Sequence, residues 1–198
     1  MSTIVAVKKD DLIAIGADTL TKLGTVKESA AYVATASKIV RVGENYLAYV
    51  GHASLGLVLA SYFGQLKEPI RLDSAQAIFE AARRLHRALK EDYFLVPTEH
   101  EEDEFESSRL DCLIANPSGI YGLYALRSVQ EYTRFYSFGT GWMLALGAMY
   151  AVYDSPSLAA PEIARVGLEA AAEFDDSTGG PFEIHTIVYK AREEARAD

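Results

Sequence analysis

The sequence predicts an α+β fold, a four-layer αββα sandwich in which two antiparallel sheets pack face to face and a pair of helices covers each outer side. Three observations lead there. The chain opens with short β-prone runs at period two, switches to helical spacing, and then goes through strands and helices a second time. Its helices come in pairs, unlike the single-helix crossovers of a parallel sheet. No internal repeat, linker or low-complexity stretch divides the 198 residues, so residues 1–198 read as one domain, long enough to bury a sizeable core.

Taken in order, Thr3–Lys9 alternates and is β-rich, and Leu12–Ala17 is a second apolar run. Lys9-Asp10-Asp11 between them is a turn, which makes the two a hairpin. Thr21–Tyr32 reads as irregular or weakly β. Lys38–Val42 and Tyr46–Val50 form another pair around Gly43-Glu44-Asn45. Ala53–Leu66 then places Leu55, Leu59, Tyr62, Phe63 and Leu66 at helical spacing. Asp73 and Ser74 are N-terminal signals for a long helix reaching about Asp92. Its apolar stripe is Ile78, Ala81, Leu85 and Leu89, and Arg83, Arg84, Arg87 and Lys90 form its wet face. Strands return at Leu110–Ala115 and Ile120–Leu126 around the turn Asn116-Pro-Ser-Gly119, and Tyr132–Phe138 follows as one more. Gly139-Thr140-Gly141 opens a helix through Ala145, Leu146, Met149 and Val152. Pro161-Glu162 starts another, ending near Glu173. Phe182–Lys190 is the last strand, before a charged tail.

Composition narrows the function. Hydrophobic residues make up 49% and charged residues 24%, as in soluble globular proteins. A net charge of −9 argues against a nucleic-acid partner, which needs a basic patch. The apolar runs fall short of the ~18–20 residues that cross a bilayer, so no membrane partner is expected. The first apolar run is short and meets Lys8-Lys9-Asp10-Asp11, unlike a secretory signal, and a cytoplasmic location is expected. Cys112, the single cysteine, allows no disulfide framework and reads as a packing residue. Glu99–Glu106 holds six carboxylates with His100 and reads as a solvated loop rather than a metal site. His86, His100 and His185 read as structural or solvated.

The chemistry-bearing signal lies at the start of the chain. Ser2 follows Met1 directly, and a methionine before so small a residue is normally trimmed. Ser2 would then carry a hydroxyl and a free α-amine of pKa about 7.7–8.0, so one residue supplies nucleophile and base. Asp18 ends the second strand in Ile13-Ala-Ile-Gly-Ala-Asp18, and Lys38 begins the third in Lys38-Ile-Val-Arg-Val42. Each is unremarkable alone. Together they resemble the proteasome β subunit and its bacterial relative, the HslV peptidase, whose fold is that of the N-terminal nucleophile hydrolases. In that family the aspartate lies sixteen positions after the nucleophile, and Asp18 lies sixteen after Ser2. Ser2 thus stands where most of the family has threonine, a mild change that keeps the hydroxyl. Tyr46-Leu-Ala-Tyr-Val-Gly51-His52-Ala53 resembles the family's oxyanion strand end, Gly139-Thr140-Gly141 its Gly-Ser-Gly, and Asp175-Asp-Ser-Thr178-Gly179-Gly180 its Asp-x-x-Ser-Gly-Gly. The serine nucleophile, an insertion before Lys38 and the acidic loop are more similar to a small bacterial branch, the betaproteobacterial proteasome homologue.

The resemblance implies a mechanism. Ser2 attacks a scissile carbonyl and its α-amine takes the proton. Lys38 beside Asp18 makes the local field positive, and the Gly51 N–H stabilises the oxyanion. Thr140, Asp175 and Thr178 hold the amine and a water. Tyr49 lines the pocket for the residue preceding the cleaved bond. The strand Thr19–Leu23, with Lys22 in place of the usual threonine, pairs with the substrate, and His52 touches it. No metal or organic cofactor is required. The implied substrates are peptides or unfolded polypeptides, and the implied assembly is a homo-oligomer of stacked hexameric or heptameric rings, with an ATP-dependent unfoldase as a possible partner. Two other readings remain: a catalytically silent ring-forming shell, which retention of Met1 would favour, and a small-molecule amidase of the same fold.

Overall fold

The computed structural model describes residues 2–96 and 104–191. The first hairpin is β1 (Thr3–Lys9) and β2 (Leu12–Ala17), turned through Asp10 at φ 52°. The next segment forms a small separate hairpin, β3 (Thr21–Leu23) and β4 (Val26–Glu28). β5 (Ile39–Val42) and β6 (Asn45–Val50) follow, then α1 (Leu55–Gly64) and α2 (Ala75–Glu91). The Ser74 hydroxyl caps α2 by accepting from Ala77 N at 3.2 Å. β7 (Asp111–Asn116) and β8 (Gly119–Leu123) turn at Asn116, whose side-chain oxygen accepts from Ser118 N at 2.9 Å.

The run expected as one strand over Tyr132–Phe138 is two. β9 (Val129–Tyr132) lies at the edge of one sheet and β10 (Phe135–Gly139) at the edge of the other. The chain crosses between sheets at Thr133-Arg134, too short a break to interrupt an aromatic pattern. α3 (Trp142–Val152), α4 (Ala160–Phe174) and β11 (Glu183–Val188) complete the order. In α4, Pro161 occupies the first turn and Glu162 accepts from Ala159 N at 3.1 Å.

One sheet runs β10-β1-β2-β11 and the other β5-β6-β7-β8-β9, every pairing antiparallel. Ile4, Ile13 and Ile15 from the first sheet meet Ala48, Leu113 and Ile120 from the second to form the middle layer of the core. Leu59, Ile78 and Leu85 seal the outer face of the second sheet. Met149, Ile163 and Leu168 seal that of the first. The four-layer sandwich follows from this burial: each sheet is apolar on both faces, so each needs a partner on both sides. Cys112 is buried in the helix-side core, and its thiol is pushed well above the ordinary range by that burial, as a packing residue's would be. Among the described residues no helix is long and apolar enough to cross a membrane.

Candidate active site

The hairpin brings Ser2 and Asp18 to one end of the sandwich. With Ile4 opposite Ala17, Thr3 and Asp18 are the next pair. Thr3 N donates to Asp18 Oδ1 at 2.9 Å, and Asp18 N donates to Thr3 O at 3.1 Å. Asp18 is fully buried. Its Oδ2 accepts from Leu20 N at 3.1 Å and Gly179 N at 3.2 Å. Lys38, just before β5 in the other sheet, donates its ammonium to Asp18 Oδ1 at 2.8 Å and to the Leu20 carbonyl at 2.6 Å. The pair therefore ties the two sheets together beneath Ser2. Burial pushes the Asp18 carboxyl above the usual range, opposed by Lys38 and by the N–H groups of Thr3 and Gly179. Burial also pulls Lys38 below the ordinary lysine value, opposed by Asp18. So enclosed a pair is weak evidence for stability, because desolvation consumes most of the attraction. It is better evidence for a site that needs a fixed local field.

A second group closes on Ser2 from the α3–α4 side. Thr140 N donates to Ser2 O at 2.8 Å. Asp175 Oδ2 accepts from Thr140 Oγ1 at 2.6 Å and from Thr178 Oγ1 at 2.5 Å. Thr178 spends its proton on that carboxylate, so at its 2.6 Å contact with Thr3 the Thr3 hydroxyl must be the donor. Thr3 Oγ1 in turn accepts from Gly141 N at 3.2 Å. The result is a directed chain from Gly141 through Thr3 and Thr178 to Asp175. Gly139 lets Thr140 N reach Ser2 O: its φ is +103°, and a Cβ there would lie 1.8 Å from that oxygen.

Ser2 is nearly buried and sits where two clefts meet. One, of about 540 Å³, is lined by Ser2, Lys22, Lys38, Tyr49, Gly51 and His52 among others. Tyr49 is buried, with its hydroxyl 3.5 Å from Ser37 O. Lys22 reaches Asp176 at 2.8 Å, and the His52 ring pairs with Ser54 at 2.8 Å. The other cleft, of about 460 Å³, has aromatic walls and shares Ser2 and Gly51 with the first. Gly51 has φ +150°, and a Cβ there would fall 2.3 Å from Leu55 Cδ1 and 2.9 Å from Arg109 O, so the chain passes this point only as glycine.

All ten residues singled out in the sequence thus fall around one site. Sequence reasoning missed Thr3, whose hydroxyl joins the two halves; Gly139, noted only as part of Gly139-Thr140-Gly141, lets Thr140 approach because it has no side chain. Of the acidic run, residues 99–103 lie outside the described residues. Glu106 is described and accepts from Lys90 at 2.6 Å and pairs with His86 at 3.2 Å. His185 pairs with Glu183 at 2.7 Å. Among the described residues no group of three His, Cys, Asp or Glu is placed to hold a metal ion.

Two antiparallel sheets between helix pairs, with a hydroxyl residue beginning the first strand above a buried lysine, define the N-terminal nucleophile hydrolase class. Comparison with known proteins makes this more specific. No family model matches the chain. The proteasome subunit beta of Nanoarchaeum equitans (strain Kin4-M) is 26% identical over 209 residues, covering 98% of this chain and 96% of that protein. The structure of Thiobacillus denitrificans BPH is 52% identical with a TM-score of 0.91, covering 95% of this chain and 98% of that one. The same protein in complex with epoxomicin is 51% identical with a TM-score of 0.90, covering 95% and 99%. Eukaryotic HslV from Trypanosoma brucei, at 16% identity, a TM-score of 0.67 and coverage of 94% and 99%, shares the fold. The chain belongs to the proteasome β-subunit and HslV-like family.

Proposed function

We propose that this chain is the peptidase subunit of a self-compartmentalised protease and that Ser2, exposed by removal of Met1, is its nucleophile. The observation that carries the reading is the buried Lys38–Asp18 pair beneath the Ser2–Thr3 peptide. A silent shell has no chemical use for a charge held so expensively.

In the reaction, Ser2 Oγ attacks the carbonyl carbon of the scissile bond. The hydroxyl proton passes to the free α-amine, directly or through one water, and then to the departing peptide amine as the C–N bond breaks. The positive field of Lys38 lowers the pKa of both the amine and the hydroxyl. The Gly51 N–H stabilises the tetrahedral oxyanion, a contribution of about 10²–10³ in rate per donor. The ester left on Ser2 is then attacked by water, and the α-amine again handles the proton. Asp175, Thr140 and Thr178 hold the Ser2 main chain and the water in register. The acyl half of the substrate lies along β3 as an added strand, with Tyr49 and His52 beside its last side chain.

The substrates are peptides or unfolded polypeptides, the only forms that reach a closed chamber. The chain assembles as stacked hexameric or heptameric rings. Met143, Leu144 and Tyr150 on α3 and Phe174 on α4 expose apolar surface that ring contacts would cover. An ATP-dependent unfoldase would feed the chamber. Hydrolysis of a fluorogenic peptide by the assembled protein tests the reading: turnover in wild type and none in Ser2→Ala is the expected result. Equal turnover in both would discard Ser2 as nucleophile, and none in either would favour the silent shell.

A further inference from the structure

A second cleft, walled by aromatic side chains, lies on the far side of Ser2. Tyr124, Tyr136, Phe138 and Trp142 line it, and one carboxylate, Asp111, opens into it. The walls are fixed. Phe138 meets Tyr124 and Tyr136 edge-on at 4.9 and 5.4 Å, Tyr136 stacks on Tyr132 at 4.2 Å, and the Tyr124 and Tyr132 hydroxyls bond at 2.8 Å. Asp111 is half-buried, and burial raises its pKa above the ordinary value. Its Oδ1 accepts from Ala125 N at 2.9 Å, and no lysine or arginine among the described residues forms a salt bridge with it. An enclosed carboxylate among aromatic faces is the arrangement that receives a cation: the charge answers the carboxylate, and the alkyl stem and head lie against the rings.

The position of the cleft says which part of a ligand would enter. β3 and Lys38 line the opposite cleft, so an acyl segment added along β3 places the departing segment here. Resting on the peptidase reading above, we propose that this cleft is the subsite for the residue following the scissile bond and that Asp111 selects lysine or arginine there.

Two measurements test it on the assembled protein. In the first, an unstructured polypeptide is digested and its cleavage sites are read by mass spectrometry. Lysine and arginine should be enriched about 10-fold over glutamate immediately after the cut. Asp111→Asn, which keeps the acceptor for Ala125 N, should erase that enrichment. Cleavage without enrichment, or enrichment untouched by the substitution, overturns the proposal. In the second, labelled peptides differing only in one lysine or glutamate are bound to Ser2→Ala protein and followed by anisotropy. Preference for the lysine peptide that Asp111→Asn removes supports the subsite, and equal binding overturns it. The second arm needs no turnover. If Ser2-dependent cleavage is absent, the peptidase reading fails by the first arm while the second still decides the subsite.

Discussion

Two lysines line the same cleft, each paired with an aspartate at the same 2.8 Å separation, yet the two pairs differ in kind. Lys38 and Asp18 are 8% and 0% exposed in their side chains, whereas Lys22 and Asp176 are 19% and 80% exposed. Asp18 accepts from three backbone N–H groups besides the ammonium, and Lys38 also donates to Leu20 O. Asp176 takes one hydrogen bond from Lys22 and one from the neighbouring Ser177 hydroxyl. Lys22 holds the Asp176 carboxyl below its usual value, and in the buried pair burial pushes the carboxyl the other way. Separation therefore does not rank such pairs. What ranks them is how much water each charge has lost and how many fixed groups replace it.

The largest effect that separates them is expected from Lys38→Met. It leaves the Asp18 carboxylate buried without its counter-charge, at a cost of about 3–5 kcal/mol in unfolding free energy. Chemical denaturation measures that cost, and peptide turnover should fall by at least about 10³-fold with it, the scale of losing an electrostatic element of the site. Asp18→Asn sharpens the comparison. The amide retains an acceptor for Thr3 N but not the charge, so turnover should drop by about 10–100-fold, the scale of a hydrogen bond to a charged group. A loss no larger in either variant than in Lys22→Ala would break the distinction.

Thr178→Val cuts the directed chain between Thr3 and Asp175 without touching either lysine. It should lower kcat by about 10-fold with KM little changed. The pH profile separates the pairs in another way. Burial lowers the pKa of Lys38, so its charge is lost at a lower pH than an exposed lysine's. An activity that needs the ammonium should then decline on the alkaline side below the usual lysine range near 10.4. The smallest effect is expected from Lys22→Ala, a change in KM of less than about threefold that fades with added salt, and no measurable shift in the unfolding midpoint.

Much of this architecture is legible in the sequence because its signals are local. The Asp10 turn, the Ser74 cap and the Pro161-Glu162 start each act within a few residues, and the elements form at those positions. The sheet change between Tyr132 and Phe135 is not local. Both strands carry aromatic residues at period two, and only the packing of whole sheets assigns them to different layers. Asp18 and Lys38 were legible through their order and context in a known pattern, since neither residue announces its burial. Thr3 reads as strand propensity alone, because the hydroxyl it meets lies 175 residues away. Asp111 likewise reads as the start of a strand. It becomes part of a cleft only when β10, from the other sheet, brings Tyr136 and Phe138 beside it.

The proposed chemistry requires Ser2 to be a free, activated N-terminal nucleophile. Intact mass of the purified protein, before and after exposure to a peptidyl electrophile selective for N-terminal nucleophiles and with Ser2→Ala in parallel, decides it. Loss of Met1 and one adduct per chain that is absent from Ser2→Ala is the expected result. Retained Met1 with no adduct, or an adduct that persists in Ser2→Ala, would contradict it.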